Sequence, residues 1–407
     1  MTTQTTDRTV FDQRAGAVLQ HLQATGQLKH LQMIQGPMDA TVRLRDRGEV
    51  ACFCSNNYLG LANHPAVKEA GIEGIRKYGA GTASVRFICG TFEPHEVLER
   101  TIARFYGVEA AYTFVSCWNA SEAIFPTFCE PGDIIISDQL NHACIIDSMR
   151  LTVGMKKGTL KTVFAHSDMD SLRSALKKAR ANPAVTGAIW VVTDGVFSME
   201  GDVARLPEIK RLCDEFGALL VVDDSHGTGV LGETGRGTHE YHNMPATDVD
   251  YFMSTLGKAL GGGAGGFIAG SKAGIDLLTQ RGRPTLFSNA LPVTVACSAN
   301  KAIEILMDEP ERVAKLRDNV AYARRGISET GFKVLESPTA ICPIIVGETS
   351  KAIAMSNTLL DMGVFVIGFG YPVVPEGTAR LRAQISAAHD REHLDQLIDA
   401  LKKLARS

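Results

Sequence analysis

The stretch Tyr251-Phe-Met-Ser-Thr255-Leu-Gly-Lys258-Ala-Leu-Gly-Gly-Gly263 decides how this chain is read. It opens as a short apolar, strand-forming run. The lysine that follows is flanked by small residues and trailed by glycines. An ε-amine attacks a carbonyl only after losing its proton, and glycines let backbone approach a flat ligand closely. Lys258 therefore reads as a Schiff-base lysine for an aldehyde cofactor. Taken alone, the run fits a helix-start lysine on a glycine-rich turn almost as well, so the residues upstream must decide.

Working outward, similar runs lie at 111–115, 133–137, 188–193 and 219–223, separated by helical segments between about residues 60 and 290. They are apolar on both faces, the signature of a mostly parallel sheet covered by helices, and they predict an α/β fold. Residues 9–34 carry apolar positions at helical spacing and predict an N-terminal helical arm. Beyond residue 291 the pattern changes to helices at 293–307 and 310–329, strands near 340–346 and 363–367, and a final helix at 390–405. The expected division is an arm with a small-domain segment at 1–55, a large domain at 56–290 and a smaller α+β domain at 291–407.

With 407 residues and 45% apolar content, the chain can bury a large core, which argues against a small binding module. A net charge of -3 offers no footprint for nucleic acid or an anionic membrane. No apolar run approaches the roughly 20 residues of a membrane span. The polar start Met1-Thr-Thr-Gln-Thr-Thr-Asp-Arg8 lacks the apolar core of a signal peptide, so a cytoplasmic location is expected. The nine cysteines, an odd count without Cys-x-x-Cys spacing, predict reduced and mostly buried thiols; neither a disulfide framework nor a metal site is expected.

In a doubly wound sheet, ligands sit beyond the carboxyl ends of the strands. Polar residues cluster there in this chain. Leu219-Leu-Val-Val-Asp223-Asp-Ser-His226 closes one run with acid and imidazole, and Ile189-Trp-Val-Val-Thr-Asp194-Gly-Val-Phe-Ser198 closes another. Asp133-Ile-Ile-Ile-Ser137 is followed by Asn141-His142. A pyridine ring acting as electron sink needs an anion at its ring nitrogen, and Asp223 is the candidate. A strand-end aspartate in isolation more often caps the next turn; its coincidence with Lys258 favours the cofactor role. His142 fits either an ordinary hydrogen-bonded histidine or a flat ring stacked on a flat cofactor. Ser116-Cys117-Trp118-Asn119 marks a strand-to-helix transition, where free N–H groups and the helix dipole suit a phosphate, though Ser116 as a plain N-cap explains it equally.

Two glycine motifs carry no such weight. Gly227-Thr-Gly229-Val-Leu-Gly232 matches a dinucleotide fingerprint, yet the polar Glu-Thr-Gly-Arg-Gly-Thr that follows cannot open an apolar crossover helix. Gly261-Gly-Gly-Ala-Gly-Gly266 lacks the Gly-Lys-Ser/Thr ending of a P-loop.

Taken together, the ordered motifs resemble the α-oxoamine synthases, pyridoxal-phosphate enzymes of the aspartate-aminotransferase-like fold (PLP fold type I). The resemblance runs from about residue 50 to 390. It rests on Cys54-Ser-Asn56-Asn-Tyr-Leu-Gly-Leu61, Gly79-Ala-Gly-Thr-Ala-Ser-Val-Arg-Phe-Ile-Cys-Gly-Thr91, Asn141-His142, Asp194-Gly-Val-Phe-Ser198-Met, Val222-Asp223-Asp-Ser-His226-Gly-Thr-Gly, Thr255-Leu-Gly-Lys258 and Ala379-Arg-Leu-Arg382. It implies a large domain with a mostly parallel seven-stranded sheet and a smaller α+β C-terminal domain. Pyridoxal 5'-phosphate is the implied cofactor, with Lys258 on its aldehyde, Asp223 on its pyridine nitrogen and His142 stacked on its ring. Ser198 and His226 match residues near the phenolic oxygen. The backbone of Cys117 and Trp118, with the Thr255 hydroxyl, matches the phosphate cradle. Phe287 and Ser288 match a segment reaching the phosphate from a second subunit, which implies a homodimer with shared active sites. Arg382, assisted by Asn56, matches the grip on the amino-acid carboxylate.

Within the family, Ser84-Val-Arg-Phe-Ile-Cys-Gly-Thr91, Arg283-Pro-Thr-Leu-Phe-Ser-Asn289 and Gly370-Tyr-Pro-Val-Val-Pro375 resemble the glycine C-acetyltransferases, also called 2-amino-3-ketobutyrate CoA ligases. Aminolevulinate synthases have Thr-Arg-Asn where this chain has Val85-Arg86-Phe87, which weighs against succinyl-CoA. Three departures from the acetyltransferase pattern are Trp118 for phenylalanine, Gly370 for an aromatic residue, and Ile341-Cys342-Pro for Ile-Ile-Pro. Val85, Phe87 and Gly370 are thus the expected acyl-pocket residues, and Gly370 is expected to leave room for a longer thioester.

The resemblance implies a Claisen-type condensation of glycine with an acyl-CoA, acetyl-CoA first, in which Lys258 takes a Cα proton and His142 or His226 polarises the developing oxyanion. Alternatives are a longer acyl thioester, alanine or serine with decarboxylation, and a same-fold aminotransferase or decarboxylase. A non-catalytic scaffold would need none of Lys258, Asp223, His142 and Arg382.

Overall fold

The computed structural model describes residues 7–406; the polar start at 1–6 lies outside the described residues. Helix α1 (Asp7–Ala24) opens the chain. It stops short of the expected arm over 9–34 because the Thr25 hydroxyl donates to the His21 carbonyl at 2.9 Å and Gly26 turns the backbone with a φ of 68°. Val10, Phe11, Val18 and Leu19 on this helix stay exposed. β1 (Thr41–Leu44) and β2 (Gly48–Cys52) form a hairpin. α2 (Pro65–Tyr78) starts on a proline, which needs no N–H partner there, and α3 (Glu93–Tyr106) ends on left-handed Gly107.

β3 (Ala110–Phe114), β4 (Ile134–Asp138), β5 (Leu160–Phe164), β6 (Ile189–Asp194), β7 (Leu219–Asp223), β8 (Tyr251–Thr255) and β9 (Gly266–Gly270) form one seven-stranded sheet, in the order β3-β9-β8-β7-β6-β4-β5. β4 to β8 pair in parallel, while β9 runs antiparallel to both β3 and β8. Every residue of β4 and β6 is buried, as the two-faced apolar runs predict.

The connections place the site. Parallel neighbours require crossovers, supplied for example by α4 (Cys117–Phe128) and α5 (Ala143–Met155). β8 and β9 are joined instead by the loop 256–265, which carries Lys258. This reversal was not foreseen. β9 reads Gly-Phe-Ile-Ala-Gly, and glycines at both ends depress its strand signal. Gly266 is needed because a Cβ there would lie 2.3 Å from the Cα of Cys117 at the start of α4. β5 also escaped notice, being an edge strand with alternating exposure.

After the sheet come helices Val293–Asp308 and Glu311–Ser328, close to the predicted spans. β10 (Lys333–Val334), β11 (Ile341–Gly347), β13 (Ile367–Phe369) and β14 (Ala379–Gln384) build an antiparallel sheet in the order β10-β11-β14-β13. β12 (Val364–Phe365) leaves that sheet and pairs in parallel with β2. Helix Thr349–Asp361, missed in the sequence, covers β13 and β14, and helix Arg391–Arg406 buries Leu394, Leu397, Ile398 and Leu401. No helix among the described residues is long and apolar enough to cross a membrane.

Gly266→Ala tests the close approach of β9 to α4. Pushing a methyl into backbone should cost about 1–3 kcal/mol, measured by denaturant unfolding, and should weaken cofactor retention because Lys258 and the α4 N-terminus are forced apart.

Candidate active site

Asp194 and Asp223 end adjacent parallel strands in direct register. Both are buried. Asp223 Oδ1 accepts from the Ser225 N–H at 3.0 Å and Oδ2 lies 3.9 Å from Cys144 Sγ; no cation is paired with it among the described residues. Asp194 Oδ1 accepts the His142 N–H at 3.1 Å. Burial, reinforced by the charge of Asp223, drives the Asp194 carboxyl well above the usual range.

The turn after β4 is fixed by Asn141, whose amide donates to Ser137 Oγ at 2.8 Å and the Val192 carbonyl at 2.9 Å. Its oxygen accepts the Asp194 N–H at 2.7 Å. That stitching aims His142, the N-cap of α5. His142 Nδ1 accepts the Cys144 N–H at 3.2 Å, so the neutral ring carries its proton on Nε2. Burial lowers its pKa, keeping it neutral. Its ring meets Trp118 edge-on, with centroids 6.2 Å apart. The Trp118 indole is itself held by Glu122 at 3.0 Å.

Ser116 caps α4 by accepting the Asn119 N–H at 3.1 Å. The amides of Cys117 and Trp118 are left as first-turn donors, so the plain N-cap and the anion site coexist. Thr255 flanks them, but its hydroxyl donates to the Gly265 carbonyl at 3.1 Å and accepts from the Gly257 N–H at 3.0 Å. Lys258 lies beyond it on the same loop. Burial lowers the pKa of its amine, against the opposing charge of Asp223.

Arg382 projects from β14. Its Nη1 donates to the Ser198 carbonyl at 2.9 Å, its guanidinium lies 4.7 Å over the Phe369 ring, and its buried Nε has no partner. Asn56 sits 2.7 Å from the Gln384 amide, and Gln384 contacts the Tyr58 hydroxyl at 2.8 Å, which in turn contacts His226 Nδ1 at 2.9 Å. Tyr58, Cys144, Glu122 and Gln384 were not singled out in the sequence. Tyr58 lies inside the quoted Cys54–Leu61 motif, whereas nothing local marks the others.

Phe87, Phe287 and Ser288 do not join this cluster within one chain. Phe87 and Phe287 are 62% and 72% exposed. Ser288 lines a crevice with Arg86 and Asn119. Val85 bridges Asn289. At Gly370 a Cβ would meet the Thr349 side chain at 2.4 Å, so this glycine packs directly against Thr349. All nine cysteines are free, five of them buried. The Gly227–Gly232 segment forms turns and opens no crossover helix.

A buried aspartate without a cation, an amine with a lowered pKa, free helix-start amides and an arginine with an orphaned Nε are a fitting set for a phosphorylated pyridine aldehyde and a carboxylate substrate. The pattern of aminotransferase class I and II matches residues 49–401. An 8-amino-7-oxononanoate synthase of Alkaliphilus metalliredigens (strain QYMF) is 43% identical, covering 95% of this chain and 95% of its own. The mitochondrial 2-amino-3-ketobutyrate coenzyme A ligase of Mus musculus is 41% identical over 95% and 91%. A serine palmitoyltransferase variant from S. paucimobilis, solved with PLP–myriocin bound, superposes with a TM-score of 0.88 at 27% identity, covering 96% of each chain. The architecture is PLP fold type I, with pyridoxal 5'-phosphate as cofactor. The chain belongs to the aminotransferase class I and II family and, within it, to the α-oxoamine synthases.

One further group braces the site from outside. His166, just after β5, contacts Asp138 through Nδ1 and Asp202 through Nε2, each at 2.9 Å. Although burial opposes it, these two carboxylates raise its pKa from 6.5 to about 10. Asp202 belongs to the loop that follows Ser198, so the imidazolium ties this loop to β4. Its stabilisation is fully present below about 6.5 and is lost as pH rises through about 10. Unfolding free energy measured across that window should decline in the wild type, and His166→Asn should flatten the decline.

Proposed function

We propose that the enzyme condenses glycine with a short acyl-CoA, acetyl-CoA first, giving a 2-amino-3-oxo product and free CoA. The observation that carries this reading is Arg382, buried beside the cleft with its Nε unpaired and its Nη1 on Ser198. Such a guanidinium grips a carboxylate, and Asn56 lies on the same side of the site through Gln384. A short acyl group is supported by Thr349, which fills the volume beside Gly370.

Bound pyridoxal phosphate supplies an aldehyde that captures an amine and a pyridinium that accepts the electron pair released at Cα. Lys258 would hold the cofactor's aldehyde, and its neutral amine would serve as the base for the substrate's Cα proton. Asp223 keeps the pyridine nitrogen protonated. His142 would present its flat face to the ring, Ser198 and His226 would border the phenolic oxygen, and the Cys117 and Trp118 amides would take the phosphate, joined by the Thr255 hydroxyl once it releases the Gly265 carbonyl. His142, whose Nε2 bears the proton, is the better donor to the oxyanion of the thioester carbonyl as CoA leaves. Val85 and Phe87 border the acyl group.

The exposed Phe87, Ile88 and Phe287, with the apolar residues of α1, support a homodimer in which Phe287 and Ser288 complete the partner's phosphate site. Nine free cysteines support a cytoplasmic location.

A second reading is favoured by the equally similar 8-amino-7-oxononanoate synthase. That name describes an amino carbon bearing a methyl and no carboxylate, hence alanine, a long acyl donor and loss of carbon dioxide. A panel of amino acids and acyl thioesters, read by product mass and released CoA, separates the two; an alanine-derived decarboxylated product as the main species would replace the glycine assignment. Lys258→Ala should abolish the visible cofactor absorbance and amino-acid-dependent CoA release. Arg382→Ala should raise the amino-acid KM by about 10- to 100-fold and leave that absorbance in place.

A further inference from the structure

Tyr58, His226 and Gln384 form a buried chain whose proton positions can be worked out from one end. The Gln384 amide lies 2.7 Å from the Cys54 carbonyl and 3.0 Å from the Ser55 carbonyl. Carbonyls only accept, so these contacts require the amide nitrogen; the amide oxygen then faces the Asn56 side-chain amide at 2.7 Å, which must present its own nitrogen there, and the Tyr58 hydroxyl at 2.8 Å. Two oxygens at that separation need a proton between them. An amide oxygen has none, so Tyr58 donates to Gln384. A hydroxyl has one proton to give, which leaves Tyr58 only lone pairs for His226 Nδ1, 2.9 Å away. The shared proton in that second contact must come from the imidazole.

We propose that Gln384 and Tyr58 are positioning residues that hold neutral His226 with its proton on Nδ1, leaving Nε2 as a proton acceptor in the cofactor cleft. Nε2 makes no hydrogen bond among the described residues, and the ring's charged surroundings are Lys258, Arg382 and His142. Burial, with these basic groups around it, pushes the His226 pKa well below its usual value, which keeps the ring neutral. Burial also raises the Tyr58 pKa, so its phenol keeps its proton. His142 is the mirror case: its Nδ1 accepts and its Nε2 donates. The cleft therefore has one imidazole donor and one imidazole acceptor, and His226 suits a hydroxyl rather than an oxyanion. Protonation of Nδ1 follows from the hydrogen-bond geometry, burial keeps the ring neutral, and both hold whichever acyl thioester is used.

The test is magnetic resonance of the full chain loaded with pyridoxal phosphate and labelled in its histidine nitrogens, with His226→Gln to assign the signals. At neutral to mildly alkaline pH, Nδ1 should carry the proton and Nε2 should resonate at the far-downfield position of a bare imidazole nitrogen. A ring protonated on Nε2, or an even mixture of tautomers, overturns the proposal. Tyr58→Phe should lose the single-tautomer signature while retaining wild-type circular dichroism; a folded variant that keeps the pure Nδ1–H form removes Tyr58 from its assigned role. Should that variant not fold, the wild-type spectrum decides by itself.

Discussion

Two carboxylates buried side by side at the ends of β6 and β7 are the constraint around which this molecule is organised. Neighbouring strands bring them within about 5 Å of one another along the hydrogen-bonding direction, and like charges so placed in a low-dielectric interior cannot both persist without compensation. The conflict is resolved asymmetrically. Asp194 is driven toward its neutral form and occupied by the His142 backbone. Asp223 is left without a paired cation among the described residues, and the pyridinium proposed to sit there would bring the missing positive charge. The cofactor is in this sense part of the electrostatic balance of the fold.

The other end of the cofactor site follows from the reversal of β9. A crossover helix after β8 would carry the chain over a face of the sheet, whereas the short return keeps Lys258 at its carboxyl edge. The same return brings Gly265 and Gly266 against Ser116 and Cys117, so that the loop carrying the amine and the first amides of α4 are held by one contact between backbones. Precision here comes from main chain packed on main chain, which side-chain motion cannot loosen.

Much of this was legible in the sequence. The runs at 219–223 and 251–255 match β7 and β8 residue for residue, because fully buried strands leave uninterrupted apolar stretches bounded by polar ends. Asp223, His142 and Lys258 stood out since each punctuates such a run. β9 and β5 did not, one diluted by glycine and the other half-exposed at an edge. Gln384 illustrates a different limit. It lies in sequence more than three hundred residues from Tyr58, and its importance resides in which of its atoms faces which neighbour, a relation that only the folded chain creates. Gly370 shows the same limit: that it packs against Thr349, twenty-one residues earlier, is visible only in the folded chain.

The parallel pairing of β12 with β2 has a mechanical meaning. It fastens residues 48–52 to 364–365, and the backbone bond from Gln384 to the Phe53 carbonyl at 2.7 Å adds a second rivet. Asn56 and Arg382, at opposite ends of the chain, therefore ride on one piece of structure. Lys258, Asp223 and His142 ride on the seven-stranded sheet. The two residues proposed to hold the substrate carboxylate are thus joined to one another through main chain, like two faces of one jaw, so the spacing of the proposed grip is set by backbone rather than by side-chain packing.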